Sequence, residues 1–170
     1  WILGISGRYE FKNKGIDVFI DAMGQLNRNN GLGKEVLAFI LVPAGHAGAN
    51  KELLHNLELP YQAVTSTDLY LTHYLNDSAN DPVMNRIRAQ KLRNSEEDKV
   101  KIFFVPSYLN GDDGVFNMPY YDLLVGMDLT AFPSYYEPWG YTPLESLAFK
   151  VPTITTTLAG FGLWVKEHYN

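Results

Sequence analysis

The sequence predicts an α/β domain in which a parallel sheet carries helices on both faces. Five apolar segments of strand length alternate with segments of helical spacing. One of them, residues 35–42, is apolar without alternation, which is typical of a strand that helices cover on both sides. Strands and helices in this order form right-handed βαβ units, and such sheets bind ligands beyond the carboxyl ends of their strands.

The strands are assigned from these apolar runs. In chain order they are predicted at residues 2–6, 35–42, 100–105, 128–132 and 151–155. We expect functional residues in the loops that lie at the carboxyl ends of the strands, which are segments 6–15, 43–50, 106–118, 133–142 and 156–162.

The helices are assigned from apolar stripes and from capping residues. The first helix follows from an apolar stripe at helical spacing, formed by Ile16, Phe19, Ile20, Met23 and Leu26. Asp81 as N-cap and Pro82 in the first turn predict a helix that runs to about Leu92. Shorter helices are predicted near residues 51–57, 67–75 and 119–126, and residues 44–99 are expected to form a long helical insertion.

The last predicted helix covers residues 142–149. Thr142 is interpreted as its cap, Pro143 as its first residue and Glu145 as the partner of Thr142 in a capping box.

Composition narrows the function classes. The chain has 170 residues, 46% of them hydrophobic, and a net charge of −5, so one folded domain is expected and disorder is excluded. It contains no cysteine, which excludes disulfides, thiol nucleophiles and thiolate metal sites. The acidic balance argues against a nucleic-acid partner, and no apolar run reaches the length of a membrane span. A cytoplasmic location is therefore expected.

The first candidate site is the segment of residues 7–15, between the first strand and the first helix. Arg8 and Lys14 combine two cations with the amides of a helix N-terminus, and both features favour phosphate. The alternative is a surface turn whose charges are solvated.

The second candidate site is the segment of residues 133–145, which is rich in aromatic, proline and glycine residues. Such a loop is typical of a rigid pocket, in which amides bind a diphosphate and carboxylates bind sugar hydroxyls. Glu137 and Glu145 are the candidate carboxylates. The alternatives are an ordinary exposed carboxylate for Glu137 and a capping-box role for Glu145.

The sequence gives little support for a metal site or for a catalytic motif of another kind. The four histidines are scattered without the spacing of a metal site, and phosphate-binding or nucleophile motifs of the common kinds are missing. The sequence therefore predicts no metal and no cofactor. The glycines of Gly45–Gly48 are interpreted as a plain turn, although they would also let a ligand approach. A run of basic residues at 86–93 is interpreted as the solvated face of a helix.

Taken together, the two loops resemble those of the glycogen synthases of the animal and fungal type, a family of retaining glycosyltransferases with two Rossmann-like domains (the GT-B architecture). Residues 6–15 resemble the donor-phosphate loop of that family, and Glu137 and Glu145 match its E-x7-E pattern. The whole stretch 133–145 and the segment 158–162 are also similar. The resemblance extends from about residue 2 to 165, most of the C-terminal, nucleotide-sugar-binding domain of the family.

The resemblance implies a role for each matching residue. Arg8 and Lys14 would hold the donor diphosphate, Glu137 would bind hydroxyls of the transferred glucose, and these three are the expected catalytic residues. Glu145 would bind the ribose, and Tyr120 would stack on the base, with the adjacent Tyr121 as the alternative. Main-chain amides would complete the pocket around Trp139, Gly140, Tyr141 and Thr142.

The resemblance also implies the partners. The donor would be UDP-glucose, or ADP-glucose as in related enzymes, and the acceptor would be glycogen or another α-glucan. The chain begins at Trp1 without Met, and the N-terminal acceptor domain of the family is absent, so we expect the isolated chain to be inactive. Region 44–99 is shorter than in the eukaryotic members, which suggests a bacterial relative. Another two-domain transferase of the sucrose or trehalose type, and a non-catalytic glycan-binding module, are the alternative functions.

Overall fold

The computed structural model describes residues 1–29, 31–59 and 70–169. Seven strands and six helices occur in this part of the chain. In chain order they are β1 (Ile2–Ser6), α1 (Ile16–Asn27), β2 (Val36–Leu41), β3 (His46–Ala49), α2 (Lys51–Glu58), β4 (His73–Leu75), α3 (Pro82–Ala89), β5 (Val100–Val105), α4 (Tyr120–Leu124), β6 (Leu129–Phe132), α5 (Tyr141–Ala148), β7 (Thr153–Thr155) and α6 (Gly160–Tyr169).

Five strands form one parallel sheet in the order β5-β2-β1-β6-β7. All five predicted strands are present, and the last one begins at Thr153 instead of residue 151. From β1 the chain adds strands first on one side and then on the other, so the strand order reverses between β1 and β6. Ligands of open α/β sheets bind at this kind of position. The predicted fold class is confirmed.

The two faces of the sheet are covered by different helices. On one face, α1 and α3 bury Ile16, Ile20 and Ile87 against Ile40 and Phe104. These side chains are almost fully removed from water, and burial of this kind supplies most of the stability of such a domain. The apolar stripe predicted for α1 is therefore the stripe that faces the core.

The opposite face holds a smaller core. Leu41 and Val105, which follow Ile40 and Phe104 along their strands, pack there with Leu124, Met127 and Val151. Neighbouring residues of a strand point to opposite faces, so apolar residues at consecutive positions are what a doubly covered sheet requires.

The described part of region 44–99 is not wholly helical, although the sequence predicts a helical insertion there. Besides α2 and α3, it contains an antiparallel pair of strands, β3 and β4, in which His46 lies opposite Leu75. The predicted helix at 51–57 is confirmed, and so is the cap of α3, where the Asp81 side chain accepts a hydrogen bond of 3.0 Å from the Met84 amide. That helix ends at Ala89, just before Lys91 adopts a positive φ.

The predicted helix at 67–75 is wrong where it can be compared. Residues 67–69 lie outside the described part of the chain, and none of residues 70–75 is helical. The Phe104 amide donates to the Tyr70 carbonyl at 2.7 Å, and the Thr72 amide donates to the Phe104 carbonyl at 3.1 Å. Pairing with the outermost strand of the sheet thus satisfies the backbone of this segment, and it overrides the local helical pattern.

Helix α6 was not predicted, because residues 156–162 are interpreted from the sequence as a loop. Only the first part of that segment is a loop, and the helix begins at Gly160. Among the described residues, no helix combines the length and the apolar character needed to cross a membrane.

Candidate functional site

A cleft of about 300 Å³ opens at the carboxyl ends of β1, β2 and β5. The starts of α4 and α5 form its other side, so it lies beside the point where the strand order reverses. Its lining consists of Ser6, Gly7, Leu41, Pro43, Ser107, Tyr108, Leu109, Asn110, Tyr120 and Thr142. Four of the five loops expected to carry function therefore border this cleft, namely those after β1, β2, β5 and β6.

Tyr120 supplies the aromatic wall of the cleft. Its hydroxyl and the Ser6 hydroxyl share a hydrogen bond of 2.7 Å, and burial raises the pKa of the Tyr120 phenol. The neighbouring Tyr121 is exposed and does not line the cleft. Between the two tyrosines that the sequence offers for stacking on a base, only Tyr120 is in position to do so.

The loop between β1 and α1 ends in an unusual backbone conformation. Gly15 is the N-cap of α1 with a φ of 68°, in the left-handed region that favours glycine. A Cβ at this position would collide with the Pro133 carbonyl group of the loop after β6. The two candidate segments of the sequence therefore touch at Gly15, and the contact requires glycine.

Lys14 and Glu137 join the same two loops by an ion pair. Their side chains are only 13% and 19% exposed. A backbone hydrogen bond of 2.9 Å from the Tyr135 amide to the Asn13 carbonyl lies beside the pair. Glu137 is therefore not the ordinary exposed carboxylate of the alternative interpretation, and Lys14 is not a solvated surface charge.

Arg8 differs from Lys14. Its side chain is 75% exposed, and its guanidinium lies 3.0 Å from the Glu10 carboxylate. A hydrogen bond from Asn13, together with the charges of Arg8 and Lys14, holds the pKa of Glu10 below its ordinary value. Arg8 therefore fits the alternative interpretation of this segment, in which its charge is solvated at the surface.

The segment after β7 supports the loop of Glu137 from the other side. The Gly160 amide donates to the Glu137 carbonyl at 3.0 Å, and the Phe161 amide donates to the Trp139 carbonyl at 2.7 Å. A Cβ at Gly160 would meet the Pro138 carbonyl, so the close approach of the two chains depends on this glycine. The sequence marks residues 158–162 by their place after the last strand and by resemblance, and the structure gives them this supporting role.

The start of α5 corrects two predictions. The helix begins at Tyr141, and its N-cap is Gly140 with a φ of 99° and no side-chain cap. Thr142 is thus inside the first turn and is not the cap, so the capping-box interpretation of Glu145 is wrong. Because no side chain caps this turn, its amides can donate hydrogen bonds to an anion, and Thr142 of the same turn lines the cleft.

Glu145 instead has a tertiary partner. Its Oε1 atom accepts a hydrogen bond of 3.2 Å from the Tyr121 hydroxyl. Among the aromatic residues of the same loop, Trp139 packs on Phe161 and Trp164, which gives its ring a supporting contact. The Tyr141 side chain is exposed, so only its main chain takes part in the helix start.

Two of the histidines that look scattered in the sequence meet in the fold. The rings of His46 and His73 are 4.7 Å apart, and burial together with His73 lowers the pKa of His46. The two nitrogens of His73 already contact Thr72 and the Asp113 carbonyl, at 2.8 Å each. In the described segments, no three acidic or metal-ligating side chains group in a way that could hold a metal ion.

Comparison with known proteins finds one family. The family model described as "Glycogen synthase" matches residues 2–68 and 61–170. Glycogen [starch] synthase isoform 2 of Saccharomyces cerevisiae is 33% identical over 223 residues, covering 96% of this chain and 32% of the relative. The liver glycogen [starch] synthase of Rattus norvegicus is 31% identical over 216 residues, covering 98% and 31%.

The alignments also show how the lengths differ. The chain spans about a third of the length of the curated relatives it matches. At 216–223 residues the alignments are longer than the chain of 170, so the relatives have residues where this chain has none. The two family-model matches overlap at residues 61–68. This overlap lies inside the region 44–99, which is expected to be shorter than in the eukaryotic members of the family.

Proposed function

The chain belongs to the glycogen synthase family, and we propose that it is the donor-binding domain of a retaining glycosyltransferase that transfers glucose from UDP-glucose to the non-reducing end of an α-1,4-glucan. The observation that carries this proposal is the cleft at the reversal of strand order, with the Lys14–Glu137 pair nearby. The acceptor domain would come from another part of the same protein, which accords with the chain spanning a third of its relatives.

The proposed placement of the donor follows the chemistry of the lining. The base would lie in the cleft against Tyr120, whose ring offers a stacking surface. The ribose would point to Glu145, and the diphosphate to the uncapped first turn of α5, where main-chain amides favour anions. The main chain of Trp139 and Gly140 leads from this turn toward Glu137, which would bind hydroxyls of the glucose.

The cations would then act on the leaving group. Departure of the nucleoside diphosphate places growing negative charge on its terminal phosphate, and Lys14 and Arg8 would stabilise that charge in the transition state. Lys14 is held near its position before the donor arrives, because Glu137 pairs with it. Arg8 is exposed and would have to leave Glu10 to reach the phosphate.

Calorimetric titration of the chain with UDP, ADP, UDP-glucose and glycogen tests the proposal. We expect binding of UDP in preference to ADP, since the donor is proposed to be UDP-glucose. Preference for ADP would leave the donor-binding role standing and replace the donor with ADP-glucose. Binding of glycogen without any nucleotide would favour a glycan-binding module and contradict the proposed roles of Arg8 and Lys14.

A further inference from the structure

Tyr121 lies outside the cleft and contacts two residues that the proposed function assigns to the nucleotide. Its hydroxyl donates to Glu145 Oε1 at 3.2 Å. Its ring is tilted against the ring of Tyr120, with centroids 5.3 Å apart. On the side of α5 it stacks on Phe149, with centroids 4.9 Å apart and an angle of 18° between the planes. Tyr121 thereby links α4 to α5.

Helix α4 depends on such contacts. It has five residues and no side-chain cap, and an isolated helix of this length is unstable in water. Its first residue, Tyr120, is held at one end by the hydroxyl of Ser6. Tyr121 provides the second attachment, through a ring stacked on Phe149 and a hydroxyl bound to Glu145.

Glu145 also depends on Tyr121 for its orientation. A carboxylate has two acceptor oxygens, and a hydrogen bond to one of them restricts the directions that the other can take. In the part of the chain that the structure describes, Oε2 of Glu145 has no hydrogen-bond partner, whereas Oε1 has Tyr121. The charge of Glu145 raises the pKa of the Tyr121 phenol, as a hydrogen bond from that phenol to an ionised carboxylate requires.

Building on the proposed function, we propose that Tyr121 is a positioning residue for the nucleotide, which aims Oε2 of Glu145 at the ribose hydroxyls and holds Tyr120 against the base. It contacts the side chains of both groups while lying outside the cleft itself. Fixing these two side chains before the donor binds reduces the conformational entropy that binding would otherwise lose.

Titration calorimetry of the chain with UDP and with 2′,3′-dideoxy-UDP tests this role. Tyr121→Phe removes the hydroxyl and keeps the ring stacked on Phe149, so the fold is expected to persist. Tyr74→Phe is the matched control, because both tyrosines are 44% exposed and each hydroxyl makes one hydrogen bond. The bond of Tyr74 is to the Lys51 amide, at the start of α2 and away from the cleft residues.

We expect Tyr121→Phe to weaken UDP binding by about three- to tenfold, the range for one lost hydrogen bond. The loss should vanish for the dideoxy nucleotide, and also when Tyr121→Phe is introduced into a Glu145→Ala variant. Tyr74→Phe should leave the affinity unchanged. An equal loss for both nucleotides, or no loss for UDP, would overturn the positioning role while leaving donor binding intact. Failure of the unmodified chain to bind UDP would instead overturn the proposed function, and this role with it.

Discussion

Lys14 and Glu137 are separated by 123 positions in the sequence and form an ion pair between the loop after β1 and the loop after β6. These loops follow the two neighbouring strands between which the strand order of the sheet reverses. Both side chains are mostly buried, so each would be a poorly solvated charge without the other. The pair therefore keeps two groups with different proposed roles in place before the donor binds.

Replacement of Lys14 tests its proposed contact with the diphosphate. We expect Lys14→Met to weaken UDP binding by about 1.5–3 kcal/mol, the range for a charged hydrogen-bond partner. Lys12→Met is the control, because Lys12 lies in the same loop and pairs with Asp17 instead. Titration calorimetry measures both variants, and equal losses would show a nonspecific effect of charge.

Replacement of Arg8 tests whether this exposed cation contributes to donor binding. Arg8→Ala should weaken UDP binding by about 1.5–3 kcal/mol. Its effect on the free energy of unfolding should be within about 0.5 kcal/mol, since its side chain is mostly exposed. Glu10→Gln, which removes its present partner, should not weaken UDP binding. Unchanged UDP affinity in Arg8→Ala would leave Arg8 as a surface charge.

The close contact of Gly15 with Pro133 predicts how a substitution at Gly15 changes the stability of the fold. Gly15→Ala should destabilise the fold by at least about 1–3 kcal/mol, because alanine is strained at this positive φ and its Cβ meets a carbonyl group. Gly33→Ala is the matched control, since a Cβ there has no atom within 4 Å. Denaturant unfolding of the two variants should therefore give clearly different midpoints. A mild effect at Gly15 would mean that the two loops separate easily.

The ion pair of Asp21 with Arg86 predicts a dependence of stability on pH. Arg86 on α3 donates to Asp21 on α1 through Nε at 2.6 Å, and this contact holds the pKa of Asp21 below its ordinary value. The pKa is thus lower in the folded state, so the stabilisation is complete above the unfolded pKa of about 3.9 and is lost as the pH falls through the folded pKa.

Asp21→Asn should therefore lower the free energy of unfolding at pH 7 by about 1 kcal/mol or less, because the pair is partly exposed. The difference from the unmodified chain should shrink toward pH 3. Unfolding by denaturant at both pH values measures it, and a difference that stays constant with pH would assign the effect to packing alone.

The sequence was sufficient for the five strands of the main sheet, for α1 and for the start of α3. These elements have local causes, namely apolar runs that need cover on both faces, a stripe at helical spacing, and the Asp81 cap followed by Pro82. The two candidate segments, after β1 and after β6, were predicted for a similar reason. Their glycines, prolines and charges are unusual as a local pattern, whatever lies opposite them in the fold.

Tertiary structure decided the rest. Residues 70–75 are not helical because the main chain of Tyr70 and Thr72 pairs with Phe104 of β5, which lies far from them in the sequence. Glu145 matches a capping box in the sequence, but the helix begins one residue earlier, at Tyr141, and α4 brings the Tyr121 hydroxyl within 3.2 Å of Glu145.

The sequence by itself thus determined the strands of the main sheet, α1, the start of α3 and the family. The order of the strands brings the loop of Lys14 beside the loop of Glu137, and the packing of α4 places Tyr120, not Tyr121, in the lining of the cleft. The physical reason is that such contacts join residues far apart in the chain, whose approach depends on how whole elements pack and not on the neighbours of any one residue.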